Sequence, residues 1–157
     1  MPAFSEHFLS DPVKLTAADA VAAMLVLDDG RYVMQLRDDK RGIFYPGHWG
    51  CFGGAVNPGE PPDDALRREL QEELEFDVRD YTVFTRFDFD FSPMGGTKVY
   101  RIYYDIRVPA DAYARFVLHE GAEFGAFTAR ELLEGRQLVP YDAFALWLHT
   151  SRTRVST

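Results

Sequence analysis

Ala20 to Leu27 is an unbroken run of eight apolar residues, followed by Asp28-Asp29-Gly30 and a second apolar-rich stretch, Arg31 to Leu36. Eight residues fall far short of the roughly 20 that cross a bilayer, so the run suits a buried strand. Asp-Gly accepts the positive φ angles of a tight turn, and the whole segment predicts a β-hairpin. Downstream, from Pro62 to about Glu75, Leu66, Leu70 and Leu74 recur every four residues, and Asp63 and Asp64 complement the positive end of the dipole. That pattern predicts an amphipathic helix. Asp38 to Gly54, with Pro46 and Gly47 as breakers, reads as a loop or short strand.

Tyr81 to Phe91 and Thr97 to Val108 alternate with period two around Ser92-Pro93-Met94-Gly95-Gly96. The alternation predicts strands with Val83, Thr85, Phe87, Phe89 and Phe91 on one face and Arg86, Asp88 and Asp90 on the other. Ala129 to Leu133 reads as a short helix. Tyr141 to Thr150 reads as a longer one, packing through Phe144, Leu146, Trp147 and Leu148. Hairpins interleaved with helices give an α/β fold, one mixed sheet covered by helices.

At 157 residues and 46% hydrophobic composition, the chain has the size of one domain and can build a core, which excludes a wholly disordered protein. The lone cysteine, Cys51, cannot form an intrachain disulfide and fits a reducing, cytoplasmic setting. The N-terminal residues, with Glu6 and Asp11, lack the apolar core of a signal peptide. A net charge of −8 argues against nucleic acid polymers and anionic membrane surfaces as partners. Most of that charge lies between Glu60 and Asp77, where eight acids face two arginines.

On the predicted helix, at about 100° per residue, Glu69, Glu72 and Glu73 fall within roughly 100° of arc beside the leucine stripe. Arg68 lies one turn before Glu72, spaced to hold a carboxylate. Glutamates clustered on a helix are often only a solvated face. Close carboxylates repel unless a cation compensates, and an all-oxygen set suits a hard divalent ion such as Mg²⁺ or Mn²⁺.

The surroundings make this helix specific. Gly54, Glu60, Arg68, Glu69, Leu70, Glu72 and Glu73 fall at the spacings of the signature box of the Nudix hydrolases, which this segment resembles, and Phe76 fills the last hydrophobic position. A match of this quality arises by chance on the order of one time in a million. The resemblance implies a Nudix-like α/β/α sandwich with a mixed central sheet, and a single Nudix hydrolase domain spanning residues 1–157. The box's second glycine is replaced by Glu75. A non-glycine residue in the left-handed conformation usual there costs about 1–2 kcal/mol, so a rearranged helix end is expected.

By the same resemblance the chain is a metal-dependent pyrophosphohydrolase acting on a nucleoside diphosphate linked to another moiety, with a nucleotide sugar or a (d)NTP as substrate. The alternative is a Nudix-like module that binds a nucleotide or sugar phosphate without turnover. Glu69, Glu72 and Glu73, with the Gly54 carbonyl, would hold Mg²⁺ or Mn²⁺. Arg68 would orient a glutamate, and Glu60 would fix the loop before the helix. Glu120 is the first candidate for an acid outside the box, with Glu123 second and Glu72 third as the base. Arg37, Lys98 and Arg101 are candidate phosphate contacts, each also readable as a plain surface charge. Phe44, Tyr45, His48 and Trp49 are candidates to stack a base or cover a sugar, each also readable as loop packing, and His48 is a further candidate base. The expected partner is a small nucleoside diphosphate derivative, with a homodimer left open.

Overall fold

The computed structural model describes residues 20–90, 92–94 and 98–155. The elements run β1 (Ala20–Leu27), β2 (Tyr32–Leu36), β3 (Trp49–Gly50), β4 (Phe52–Ala55), α1 (Pro62–Leu74), β5 (Thr82–Asp90), β6 (Lys98–Val108), α2 (Ala110–Ala114), β7 (Glu123–Phe127), α3 (Ala129–Gly135) and α4 (Pro140–Val155), with a 3-10 turn at Ser92–Met94. Phe91, Gly95, Gly96, Thr97 and the N-terminal segment read for export signals lie outside the described residues. No helix among the described residues is long and apolar enough to cross a membrane.

The sheet is mixed and runs β3-β2-β1-β6-β5, with β4 added on β1 and β7 on β2. β1 pairs in parallel with β6 along its whole length. Its other edge is shared antiparallel by β2, at Leu25 and Val26, and β4, at Ala20 to Ala23. Successive residues of a strand point to opposite faces, and both faces of β1 are buried. Val21, Ala23 and Leu25 meet Leu66, Leu70 and Leu74 of α1. Ala22, Met24 and Val26 meet Leu132 of α3 and Ala145 and Leu146 of α4. The result is an α/β/α sandwich. The expected hairpin is β1–β2, and the loop before the box contains the short strands β3 and β4.

Two side-chain assignments differ from expectation. In β5 the register slips between Val83, opposite Tyr104, and Thr85, opposite Tyr103. A bulge places one extra residue on a strand and re-aims what precedes it. Phe84 therefore joins Phe87 and Phe89 against the α4-side core, and Val83 is 55% exposed. In α4 the buried positions are Tyr141, Asp142, Ala145, Leu146, His149 and Ser151, whereas Phe144 and Trp147 are exposed and stack on each other.

The end of α1 also departs from expectation. Glu75 itself adopts φ 55°, ψ 34°, and the cap is intact: its N–H donates to Gln71 O (3.1 Å) and that of Phe76 to Leu70 O (3.2 Å). The helix end is not rearranged. The chain accepts the left-handed strain, about 1–2 kcal/mol.

Candidate active site

α1 packs its leucines on the sheet, which sets its glutamates against β4 and against the loop that precedes β7. Gly53 has φ +137°, and a Cβ there would lie 2.1 Å from Val21 O. At Gly54 a Cβ would lie 2.6 Å from the Glu69 carboxylate. Gly53 lets β4 lie close against the backbone of β1, and Gly54 lets the Glu69 carboxylate approach the backbone of β4.

Arg68 organises the N-terminal half of the cluster. Its Nε and Nη2 donate to the two carboxylate oxygens of Glu60 (2.8 and 3.0 Å), and Nη1 donates to Glu69 (2.7 Å) and more weakly to Glu72 (3.4 Å). Nη2 also reaches Ala55 O (2.9 Å). Glu60 accepts from Asn57 N–H as well (2.9 Å). The Arg68 bonds, assisted by that backbone bond, hold its carboxyl down at about 2. Glu60 therefore ties the loop to the helix, and its grip on Arg68 is tighter than the helical Arg68–Glu72 contact suggested by spacing.

The C-terminal half has no such cation. Glu73 is only 3% exposed. Its carboxylate accepts from Gly53 N–H (3.0 Å), and no arginine, lysine or histidine pairs with it among the described residues. Burial, with the neighbouring charges of Glu69 and Glu120 adding, pushes its carboxyl up to about 8. Glu69 is also raised, chiefly by burial, against the pull of Arg68. Among the described residues no three His, Cys, Asp or Glu side chains converge on a common point, because Glu69 and Glu72 lean toward Arg68. The donor set nonetheless fits a hard cation: oxygen ligands, one of them a buried acid whose charge the fold leaves uncompensated.

The loop carrying Glu120 runs beside the end of α1. Val117 N–H donates to Leu74 O (3.1 Å), His119 N–H to Glu73 O (2.9 Å), and His119 Nε2 to Glu75 Oε1 (2.7 Å). Glu120 then lines a cavity of about 400 Å³ together with Gly53, Gly54, Arg37, Phe44, Lys98, Arg101, Tyr141 and Asp142. Arg37 is held by its Nε–H bond to Phe44 O (2.7 Å). Arg101 lies over the Tyr141 ring, 4.3 Å from its centroid, and donates to its hydroxyl (3.1 Å). The structure thus brings Arg37, Lys98, Arg101, Phe44 and Glu120 to one cavity beside the acidic helix.

It does not bring Trp49 there. That ring is 7% exposed, edge-on to Phe127 and covered by the Arg136 guanidinium. Pairing of β3 with β2 turns it into the core on the α4 side, so the sequence-based placement of Trp49 at the substrate is corrected. Tyr45 does not line the cavity and instead packs edge-on against Tyr141 and His48. His48 Nδ1 bonds to Pro46 O (2.9 Å). Glu123 opens β7 opposite Leu36, outside the cavity. Asp88 and Asp90 are exposed.

Sequence reasoning missed Tyr141, Asp142 and Cys51. Asp142 is buried at the start of α4 and accepts from Cys51 N–H (3.0 Å) and the Tyr103 hydroxyl (2.9 Å). Burial and the Asp142 charge push the Cys51 thiol up. Asp142 had a signal, an acid in the first turn after Pro140, but that signal is equally a dipole complement.

The family model of the NUDIX domain matches residues 16–152. The nucleoside triphosphatase NudI of Escherichia fergusonii is 48% identical over 54 residues, 34% of this chain and 38% of that protein, so the match spans little more than a third of the relative. Among solved structures, the MutT protein of Methanosarcina mazei Go1 superposes with a TM-score of 0.71 at 22% identity, covering 87% of this chain and 94% of that one. The NUDIX domain of Shewanella oneidensis NrtR, complexed with ADP ribose, gives 0.68 at 16% identity over 96% and 97%. At these identities the two structures speak for the fold. With the box on α1 and the family model covering most of its length, the chain belongs to the Nudix family.

Proposed function

We propose that this protein hydrolyses a phosphoanhydride bond of a nucleoside triphosphate or related nucleoside diphosphate derivative, using Mg²⁺ or Mn²⁺. The observation that carries this reading is the buried Glu73, which pairs with no cation among the described residues and is flanked by Glu69 and Glu120, beside a cavity lined by Arg37, Lys98 and Arg101. The partial match to a nucleoside triphosphatase, over about a third of this chain, favours a triphosphate over a nucleotide sugar.

Glu69, Glu72 and Glu73, with the Gly54 carbonyl, would hold the ion. Bound there, it supplies charge neutralisation at the diphosphate and a water of lowered pKa. Arg68 keeps Glu60 and Glu69 in place and stays off the substrate. Arg37, Lys98 and Arg101 offer N–H donors to phosphate oxygens. Phe44 and Tyr141 present rings to the nucleoside. Glu120, with Glu72 as alternative, takes the proton of the attacking water. The lone buried thiol suits a reducing compartment, the cytoplasm.

A panel of nucleoside triphosphates, nucleotide sugars and dinucleotides, assayed with Mg²⁺ or Mn²⁺ for released phosphate or mononucleotide, tests this. Turnover of triphosphates is expected. Binding without turnover of any member, equal in wild type and Glu72→Gln, would establish a nucleotide-binding module in its place.

A further inference from the structure

Glu75 stands where the box carries glycine, and it adopts the left-handed conformation that glycine would adopt without strain. Its N–H makes one cap hydrogen bond, to Gln71 O, and Phe76 N–H makes the other, to Leu70 O, as any residues could there. What a glycine could not supply is the carboxylate, and this one reaches across to His119 Nε2 at 2.7 Å.

His119 belongs to a segment that runs beside the end of the helix. Two backbone bonds join them, Val117 N–H to Leu74 O and His119 N–H to Glu73 O. The Glu75–His119 bond adds a third rung, made by side chains. The next residue, Glu120, lines the cavity and lies close enough to Glu69 and Glu73 to act on both electrostatically. Like charges push such a loop outward; Ala122 N–H ties its far end to Leu36 O, and on the helix side only the two backbone bonds resist the push.

We infer that Glu75 and His119 form a clasp that positions Glu120 against the carboxylates of α1. Both are positioning residues and neither touches substrate. The inference rests on the proposed role of Glu120. Left-handed strain at Glu75 is retained because a glycine would leave the acid-bearing loop without its side-chain tether.

The test compares Glu75→Gly, Glu75→Gln, His119→Ala, the double variant Glu75→Gly/His119→Ala and Glu120→Gln. Glu75→Gly is expected to raise the Tm by about 3 °C through relief of strain. It should nonetheless lower kcat about fivefold with KM unchanged, in keeping with the loss of a half-exposed bond. Hydrogen exchange over residues 117–122 should speed up in the metal-free protein. Glu75→Gln keeps an oxygen acceptor and should retain most of the activity. His119→Ala should match Glu75→Gly in kcat, and the double variant should lose no more than either alone. Wild-type kcat and loop exchange in Glu75→Gly, or fully additive losses in the double variant, would overturn the clasp while leaving a Glu120→Gln defect standing. A Glu120→Gln enzyme as active as wild type would overturn both the clasp and the role given to Glu120.

Discussion

The acidic cluster has two halves that handle charge in opposite ways. Around Glu60 and Glu69 the fold supplies its own cation: Arg68 grips three carboxylates and a backbone carbonyl, and Glu60 stays ionised down to about pH 2. Around Glu73 none of the described residues supplies a cation that pairs with the carboxylate, and burial raises it to about 8. The first half is finished as a structure. The second needs a proton or an added cation, so a divalent ion has most to gain there.

The largest effect that could break this contrast is a pH dependence of stability in the metal-free protein. Glu73 carries a raised folded value of about 8 against 4.5 for the free side chain. Below 4.5 the group is neutral in both states and its contribution is fully present. As pH rises through the window to 8 the unfolded chain ionises first, and stability falls by at most about 5 kcal/mol. Denaturant titrations in a chelator should show the fall, and added Mn²⁺ should flatten it. A flat metal-free profile would mean that Glu73 has a cation after all.

Glu73→Gln should come next, lowering turnover about 100-fold or more and weakening Mn²⁺ binding in calorimetry. In the metal-free state above about pH 8 the same variant should be more stable than wild type, since it removes an uncompensated buried charge. In the compensated half, Arg68→Lys should lose the forked contact to Glu60 and cost about 1–2 kcal/mol of stability with or without metal. The smallest effect belongs to Glu72, exposed and 3.4 Å from Arg68. Glu72→Gln should move metal-free stability by no more than about 0.5 kcal/mol while reducing Mn²⁺ affinity. A destabilisation as large as that of Arg68→Lys would erase the distinction between the halves.

The hairpin, α1 and the acid-bearing box were legible in the sequence because each is local: a turn dipeptide, a four-residue leucine repeat, a fixed spacing. What stayed hidden depends on tertiary placement. Asp142 meets Cys51 only because α4 lies across the junction between β3 and β4, which carries Cys51, and β6, which carries Tyr103. Trp49 was misplaced because a two-residue strand gives no period from which to infer a face. At Val83 one extra residue in β5 shifts the alternation, and a bulge has no composition signature there. In α4 the bulky Phe144 and Trp147 suggested a packing face together with Leu146, yet it is the smaller Ala145 that joins Leu146 under the sheet.

β1 carries a consequence for how the chain reaches its native state. It lies between the two helical layers and is continuously paired with β6, each residue with a partner 81 positions further along the chain, a slow closure. Until β6 emerges from the ribosome, one edge of Ala-Val-Ala-Ala-Met-Leu-Val-Leu is open, with no charge and no proline to interrupt it. The strand that fastens the finished sheet is therefore the segment most exposed to wrong pairing during synthesis, and poor soluble yield of β6 variants would trace to β1.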